Sequence, residues 1–128
     1  MIPASDLEIL QSFDGRGSVA LSAYLRLDTP QRRAQALEEF QRQMQRYLDD
    51  CGLDVECREA LQEDIEIVSL YLETNGHRQH GGLAIFSCAA ELFWRAYPLP
   101  VPLPSQVSVG PKFDVGPLLQ TLGQPQPL

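Results

Sequence analysis

The sequence predicts an α/β fold in which a mainly antiparallel or mixed sheet of about four strands packs with a long helical hairpin. Three observations support this prediction. Residues 18–27 alternate with the period of a strand, residues 29–75 carry apolar stripes with helical spacing, and residues 83–109 contain short strand-like runs separated by turn residues. The expected order is helix, strand, two helices, three short strands and a terminal helix.

The size of the chain favours one domain with one core. It has 128 residues, of which 44% are hydrophobic and 21% charged, as in ordinary globular proteins. We expect residues 1–122 to form a single α/β domain. Residues 123–128, Gly-Gln-Pro-Gln-Pro-Leu, have the composition of a flexible tail or of a linker to a further domain.

A short helix and one strand come first. Ser5 or Asp6 can cap the helix, and residues 14–17, Asp-Gly-Arg-Gly, force a turn after it. The strand that follows has one wholly apolar face and one mixed face. The apolar face consists of Val19, Leu21, Ala23, Leu25 and Leu27, and the mixed face of Ala20, Ser22, Tyr24 and Arg26.

The next helix has a clear start and an apolar stripe. Thr29 is a suitable N-cap, Pro30 fits the first helical position, and the helix should run to about residue 50 with Gly52 as its stop. Its stripe predicts an amphipathic helix on the surface. The stripe consists of Leu37, Phe40, Met44, Tyr47 and Leu48.

A second long helix forms a hairpin with the first. It should begin near Asp54 and end at Asn75-Gly76, which suits a left-handed C-cap. Ile67, Leu70 and Tyr71 widen its apolar stripe, so we expect it to touch both its partner helix and the sheet. The buried face should contain Leu61, Ile65, Val68 and Leu72.

The last third of the chain predicts strands and a short helix. The continuous apolar run of residues 83–88 is typical of a central strand covered on both faces, and residues 92–97 should pair with it as a hairpin. Residues 99–103 should form an edge strand or a polyproline-like rim, because prolines fall at every second position from 98 to 104. Residues 107–109 predict one more strand and residues 114–122 a final helix.

Charge and cysteine content limit the function classes. The net charge of -7 repels phosphate, so nucleic-acid binding would need a local basic patch, and we expect no DNA binding. Cys51, Cys57 and Cys88 are an odd set without a CxxC pair, which favours a reducing cytoplasm. No apolar run approaches the roughly 20 residues of a membrane span, so we expect no membrane association.

Acidic and histidine residues are candidates for catalytic or metal-binding groups. Glu56, Glu59, Glu63 and Glu66, with Asp64 nearby, follow helical spacing and are interpreted as a solvated face. His77 and His80, with Glu73 as a third ligand, could hold zinc, but the spacing is not that of the helical HExxH motif. We therefore expect no catalytic residue, no metal site and no cofactor.

Other nucleophiles have structural interpretations. Cys88 ends a buried strand and should belong to the core, since a catalytic thiol needs a base and an electropositive, partly open setting. Ser22 and Ser87 lie outside any G-x-S-x-G elbow and should satisfy local hydrogen bonds. No P-loop or G-x-G-x-x-G motif is present.

Four arginines are the candidate binding residues. Arg16, Arg26, Arg32 and Arg33 surround the ends of the first strand. Arg32 and Arg33 also fall in the first turn of a helix, where backbone donors point outward. These residues are candidates for an anion or RNA contact. The alternative is that they are ordinary surface charge.

Several parts of the sequence show a resemblance to a known family. They are the segments Gly-Ser-Val-Ala-Leu-Ser-Ala-Tyr-Leu-Arg-Leu-Asp and Gly-Gly-Leu-Ala-Ile-Phe-Ser-Cys, the helical hairpin between them and the proline-rich run after them. Over residues 10–122 the chain resembles the N-terminal domain of the bacterial and archaeal relatives of the archaeo-eukaryotic class-1 peptide-chain release factors.

The resemblance implies a recognition domain. Members of that family continue into a central domain with the hydrolytic loop and a C-terminal domain, so a catalytic domain would lie beyond residue 128. Nothing in this chain matches a Gly-Gly-Gln loop. The Asn-Ile-Lys-Ser motif that release factors carry between the corresponding helices is replaced here by the short, acidic turn of residues 51–56. The implied partner is the ribosome or a tRNA-containing complex.

Three functions remain open at this point. The first is a non-catalytic docking domain of a release-factor-like protein in translation or ribosome quality control. The second is a small metal-dependent hydrolase that uses the loop of His77 and His80. The third is a homo-oligomerisation domain, in which the helical hairpin or the proline-rich edge forms a homodimer contact.

Overall fold

The structure is a computed structural model that describes residues 3–49, 52–75, 81–99 and 103–122. The described elements follow the predicted order. A 3-10 turn, Ala89–Glu91, joins the second and third strands. The helices are α1 (Ala4–Ser12), α2 (Pro30–Leu48), α3 (Val55–Asn75) and α4 (Gly116–Leu122), and the strands are β1 (Ala20–Arg26), β2 (Gly82–Cys88), β3 (Phe93–Leu99) and β4 (Gln106–Gly110).

The four strands form one antiparallel sheet with the order β3-β2-β1-β4. The predicted α/β class is confirmed. β2 is central and pairs with β3 as a hairpin, both as predicted. β4 pairs with β1 and completes the sheet among the described residues.

Helices cover both faces of the sheet. The first face packs against α2 and α3, and the second against α1, α4 and Phe113. β1 therefore contributes alternate side chains to two cores. The first core contains Val19, Leu21, Ala23, Leu25, Leu27, Ala36, Phe40, Met44, Leu61, Val68, Leu72, Leu83 and Ile85, and the second Leu10, Ala20, Tyr24, Ala84, Phe86, Cys88, Phe113 and Leu118.

Side-chain caps set the starts of the two long helices. Thr29 Oγ1 accepts a hydrogen bond from the Arg32 N–H at 3.1 Å, with Pro30 at the first position of α2, as predicted. Asp54 Oδ1 accepts one from the Cys57 N–H at 2.7 Å at the start of α3. α2 ends at Leu48, close to the predicted limit, and the proposed cap at Gly76 lies outside the described residues.

The predicted contact face of α3 is wrong for two residues. Leu61, Val68 and Leu72 are buried, but the side chains of Ile67 and Leu70 are 40% and 62% exposed. The cause is the position of α3, which packs over β2 and the 3-10 turn and covers the edge strand β3 only in part, through the contact of Tyr71 with Trp94.

The proline-rich run is described only in part. Pro98 lies in the edge strand β3, opposite Leu83 of β2, where a residue without an N–H is tolerated. Residues 100–102 lie outside the described part of the chain, as do residues 123–128 of the proposed tail. Leu103 packs against the second core.

Two polar side chains of β1 hold the segment after β4. The Tyr24 hydroxyl donates a hydrogen bond to the Asp114 carbonyl oxygen at 2.5 Å, and Ser22 Oγ accepts one from the Asp114 N–H at 2.8 Å. Burial and the Asp114 charge raise the pKa of the Tyr24 phenol above its ordinary value. Both backbone groups of one residue are thus fixed to the centre of the sheet.

We expect Tyr24→Phe to lower the free energy of unfolding by about 1–2 kcal/mol, because the Asp114 carbonyl loses its donor in a partly buried site. Urea denaturation followed by circular dichroism measures this. Tyr47→Phe is the matched control, since its hydroxyl bonds the Val107 carbonyl oxygen at 3.2 Å from a half-buried position and should cost less. Equal costs for the two variants would contradict the assignment.

Candidate functional site

Three of the four candidate arginines lie together where β1 passes into α2. Arg26 ends β1, and Arg32 and Arg33 lie in the first turn of α2, so the turn through Asp28 and Thr29 brings them close. Arg26 Nε and Nη2 each donate to Asp28 at 3.1 Å, and Arg32 Nε lies 3.8 Å from Asp28 Oδ1. We call Arg26, Asp28, Arg32 and Arg33 the arginine cluster.

The arginine cluster has a surplus of positive charge. The Asp28 carboxylate pairs with the guanidinium groups of Arg26 and Arg32, whose side chains are 42% and 45% exposed, and Arg33 adds a third positive charge nearby. The hydrogen bond from Arg26 is the main cause that lowers the pKa of Asp28. Arg33 Nη1 donates to the Leu27 carbonyl oxygen at 3.0 Å, which holds its stem against the strand. The cluster can therefore present guanidinium donors to an anion.

The start of α2 contributes less than the sequence predicted. The cap Thr29 already accepts the N–H of Arg32 with its side chain and the N–H of Arg33 with its carbonyl. The guanidinium groups are consequently the parts of this site that can contact an anion. The helix dipole adds a favourable field at the same place. Asp28 was missed, although its spacing of two from Arg26 and four from Arg32 signals the pairing.

Arg16 lies apart from the arginine cluster. It precedes β1, whereas Arg26 ends it, and a strand of seven residues spans about 23 Å. Its backbone N–H bonds Asp14 Oδ1 at 2.9 Å, and it has a positive φ of 53°. It lines a small cleft with Asp54 and Glu56, whose carboxylates oppose phosphate binding there.

The interpretation of the carboxylates on α3 is wrong for one residue. Glu56, Glu59, Glu63 and Glu66 are exposed, but Asp64 is 0% exposed. Its position three after Leu61 and four before Val68 places it on the buried face, and this helical spacing is the signal that could have identified it. The solvated stripe therefore excludes Asp64.

Asp64 links α3 to the end of β2. Asp64 Oδ1 accepts hydrogen bonds from Ser87 Oγ at 2.5 Å and from the Ala89 N–H at 2.8 Å. Asp64 Oδ2 has no hydrogen-bond partner among the described residues. Burial is the main cause that raises the pKa of Asp64 to about 6, with a smaller contribution from the Glu63 charge.

The remaining nucleophile and metal candidates have these outcomes. Ser22 and Ser87 make structural hydrogen bonds, but with residues far away in sequence, so the prediction of local bonds is wrong. Cys88 lies in the core, as predicted, and burial raises the pKa of its thiol. The described residues contain no cluster of three or more metal-ligating side chains, and His77 and His80 lie outside them.

None of the described helices is both long and apolar enough to cross a bilayer.

We expect the stability of the chain to fall as the pH rises from 4 to 7 because of Asp64. Its pKa is raised from 3.8 to about 6. Between these two pH values the folded chain therefore keeps a proton on Asp64 that the unfolded chain has already released. The protonated carboxyl group of Asp64 therefore stabilises the fold fully below pH 4. This stabilisation, about 3 kcal/mol for a group with no exposed surface, is lost as the pH rises through 6.

The test compares unfolding free energies of the wild type and Asp64→Asn between pH 4 and 8. Asparagine keeps the Oδ1 acceptor and does not titrate, so the variant should lose this pH-dependent component whatever its absolute stability. Glu73→Gln, at an exposed position of the same helix, is the control and should retain the component. An unchanged pH profile in Asp64→Asn would refute the assignment.

Comparison with known proteins identifies the fold only. No family model matches the chain, and no curated protein matches it. A solved structure named "Archaeal protein" is similar, with a TM-score of 0.71 at 16% sequence identity. The match covers 93% of this chain and 34% of that one, so the chain spans about a third of the length of that structure.

Proposed function

We propose that this chain is a non-catalytic recognition domain of a release-factor-like protein, which docks on RNA of the ribosome or of a tRNA-containing complex in the cytoplasm. The observation that carries the proposal is the arginine cluster, in which two arginines pair with a single aspartate and a third, Arg33, bonds the adjacent Leu27 carbonyl oxygen. In a chain of net charge -7, this local excess of positive charge is the feature that an RNA phosphate would recognise.

The geometry of the arginine cluster suits phosphate oxygens. Asp28 bonds Arg26 through two parallel contacts, which holds that guanidinium in one orientation. A preorganised guanidinium loses less conformational entropy when it binds. Asp28 also neutralises part of the charge, so the cluster should bind RNA weakly and as one contact within a larger docking surface.

The arrangement of the elements gives further support. The segments that resemble the release-factor relatives coincide with β1, β2 and the helical hairpin of α2 and α3. The similar solved structure is about three times longer than the matched part, as expected if this fold also occurs as one part of a longer chain.

The charge of the arginine cluster should control RNA affinity in both directions. We expect Arg32→Gln to weaken binding and to lower the salt dependence, with a change of about one in the slope of log K against log salt. Asp28→Asn should strengthen binding, because it releases Arg26 and Arg32 from their carboxylate. Fluorescence anisotropy of a labelled RNA stem-loop, measured over a salt series, checks both.

Arg42→Gln is the matched control for this experiment. Arg42 lies on the same helix and is 66% exposed, but it pairs with Glu38 away from the arginine cluster. The control removes the same charge and should leave the affinity within error. The proposal fails if Arg32→Gln and Arg42→Gln weaken binding equally, or if Asp28→Asn leaves the affinity unchanged.

A further inference from the structure

A groove between α3 and the edge strand β3 lies at the opposite end of the sheet from the arginine cluster. Its walls include Ile67, Leu92 and Trp94, and the buried Ser87 forms its floor together with Ala89. The groove has a volume of about 230 Å³, which accommodates one or two large side chains. Ser87 is paired with Leu21 near the start of β1, whereas Arg26 lies opposite Gly82 at its end.

The groove exposes apolar side chains that the fold does not use. Leu92 is 95% exposed and Ile67 40% exposed, and Leu70, one helical turn after Ile67, is 62% exposed. Surface patches of this kind on single domains mark sites of protein contact. The exposed surface arises because α3 covers β3 only in part, through the contact of Tyr71 with Trp94.

Leu92 is also held in an unfavourable backbone conformation. Its φ of 53° and ψ of 37° are left-handed, a region that glycine and asparagine adopt at lower cost than leucine. Leucine at this position gains no burial within the chain to offset that cost. A strained and fully exposed apolar residue indicates a role outside the folding of the domain.

The charge around the groove selects the partner. Glu63 lines it, Glu66 lies on the adjacent exposed surface of α3, and Glu91 precedes Leu92 in the turn. The buried carboxylate of Asp64 lies directly behind Ser87 and Ala89. The cation of the same strand, Arg95, is engaged with the Phe93 ring at 4.8 Å and with the Trp94 carbonyl oxygen at 2.7 Å.

We propose that this groove binds a basic segment of a partner protein, in which lysine or arginine side chains flank a large apolar residue. The apolar residue packs between Ile67, Leu92 and Trp94, and the cations lie against Glu63 and Glu66. A long aliphatic stem with a cationic tip matches an apolar wall with an acidic rim. The site is separate from the arginine cluster and does not depend on the RNA contact proposed above.

The single tryptophan of the chain, Trp94, provides the readout. The probe is a synthetic peptide in which lysine and leucine alternate, titrated while Trp94 emission is recorded. We expect a saturable change in emission and an affinity that falls with added salt. A glutamate-leucine peptide and a lysine-serine peptide should each bind at least about tenfold more weakly, because each lacks one of the two features.

Leu92→Asn is the key variant. Asparagine suits the left-handed conformation, so the thermal unfolding temperature should be kept or raised, while peptide affinity should fall about tenfold. Glu63→Gln should lower affinity a few-fold and reduce its salt dependence. Ile9→Gln on α1 is the control, since Ile9 is 44% exposed on the other side of the sheet and should not affect binding.

Several outcomes would overturn the proposal. These are no binding of the lysine-leucine peptide, equal binding of the glutamate-leucine peptide, or equal loss in Leu92→Asn and Ile9→Gln. A mass in light scattering that rises with concentration and is reduced by Leu92→Asn would assign the groove to a second copy of the chain instead. Arg32→Gln should leave peptide binding unchanged, so the RNA contact and the groove can fail independently.

Discussion

Burial of both faces of the two central strands is the constraint on which the rest of the structure depends. β1 and β2 send alternate side chains into two separate cores, and each large apolar side chain buried in this way contributes about 1.5–3 kcal/mol. A strand that is apolar on both sides needs a layer on each side. The hairpin of α2 and α3 supplies one layer, and α1, α4 and the segment around Phe113 supply the other.

Polar groups that enter these layers are used to connect distant parts of the chain. Ser22 and Tyr24 of β1 bond the backbone of Asp114, and Ser87 of β2 bonds Asp64 of α3. Each bond satisfies a group that would otherwise destabilise the core. Asp64 retains one oxygen without a partner among the described residues, so its protonation state is coupled to the stability of the fold.

The two ends of the sheet differ in charge and in exposed apolar surface. At one end the chain leaves β1 and enters α2, which brings Arg26 and Arg32 onto Asp28 and Arg33 onto the adjacent Leu27 carbonyl oxygen. At the other end α3 begins with solvated glutamates, and Leu92, before the edge strand, is exposed. The two contacts proposed above, one with an anion and one with a basic segment, therefore lie at opposite ends of one small domain.

Local patterns in the sequence were enough to place most elements. The alternation in β1, the cap at Thr29 and the short connection between β2 and β3 depend on residues within a few positions of each other. The grouping of Arg26 with Arg32 and Arg33 was predictable for the same reason, because the end of a strand and the start of the next helix are adjacent in the chain. The separation of Arg16 follows from the length of β1.

Sequence by itself therefore determined the order and type of the elements, most of the apolar stripes, and the proximity of Arg26 to Arg32 and Arg33. Tertiary structure alone decided that β4 pairs with β1, that Asp64 bonds Ser87 and Ala89, and that Ile67 and Leu70 are exposed. The physical reason is that periodicity defines which side of a helix is apolar but not how much of that side the sheet covers. That coverage depends on where the helix lies across strands distant in sequence, and here α3 lies over β2 and covers β3 only in part.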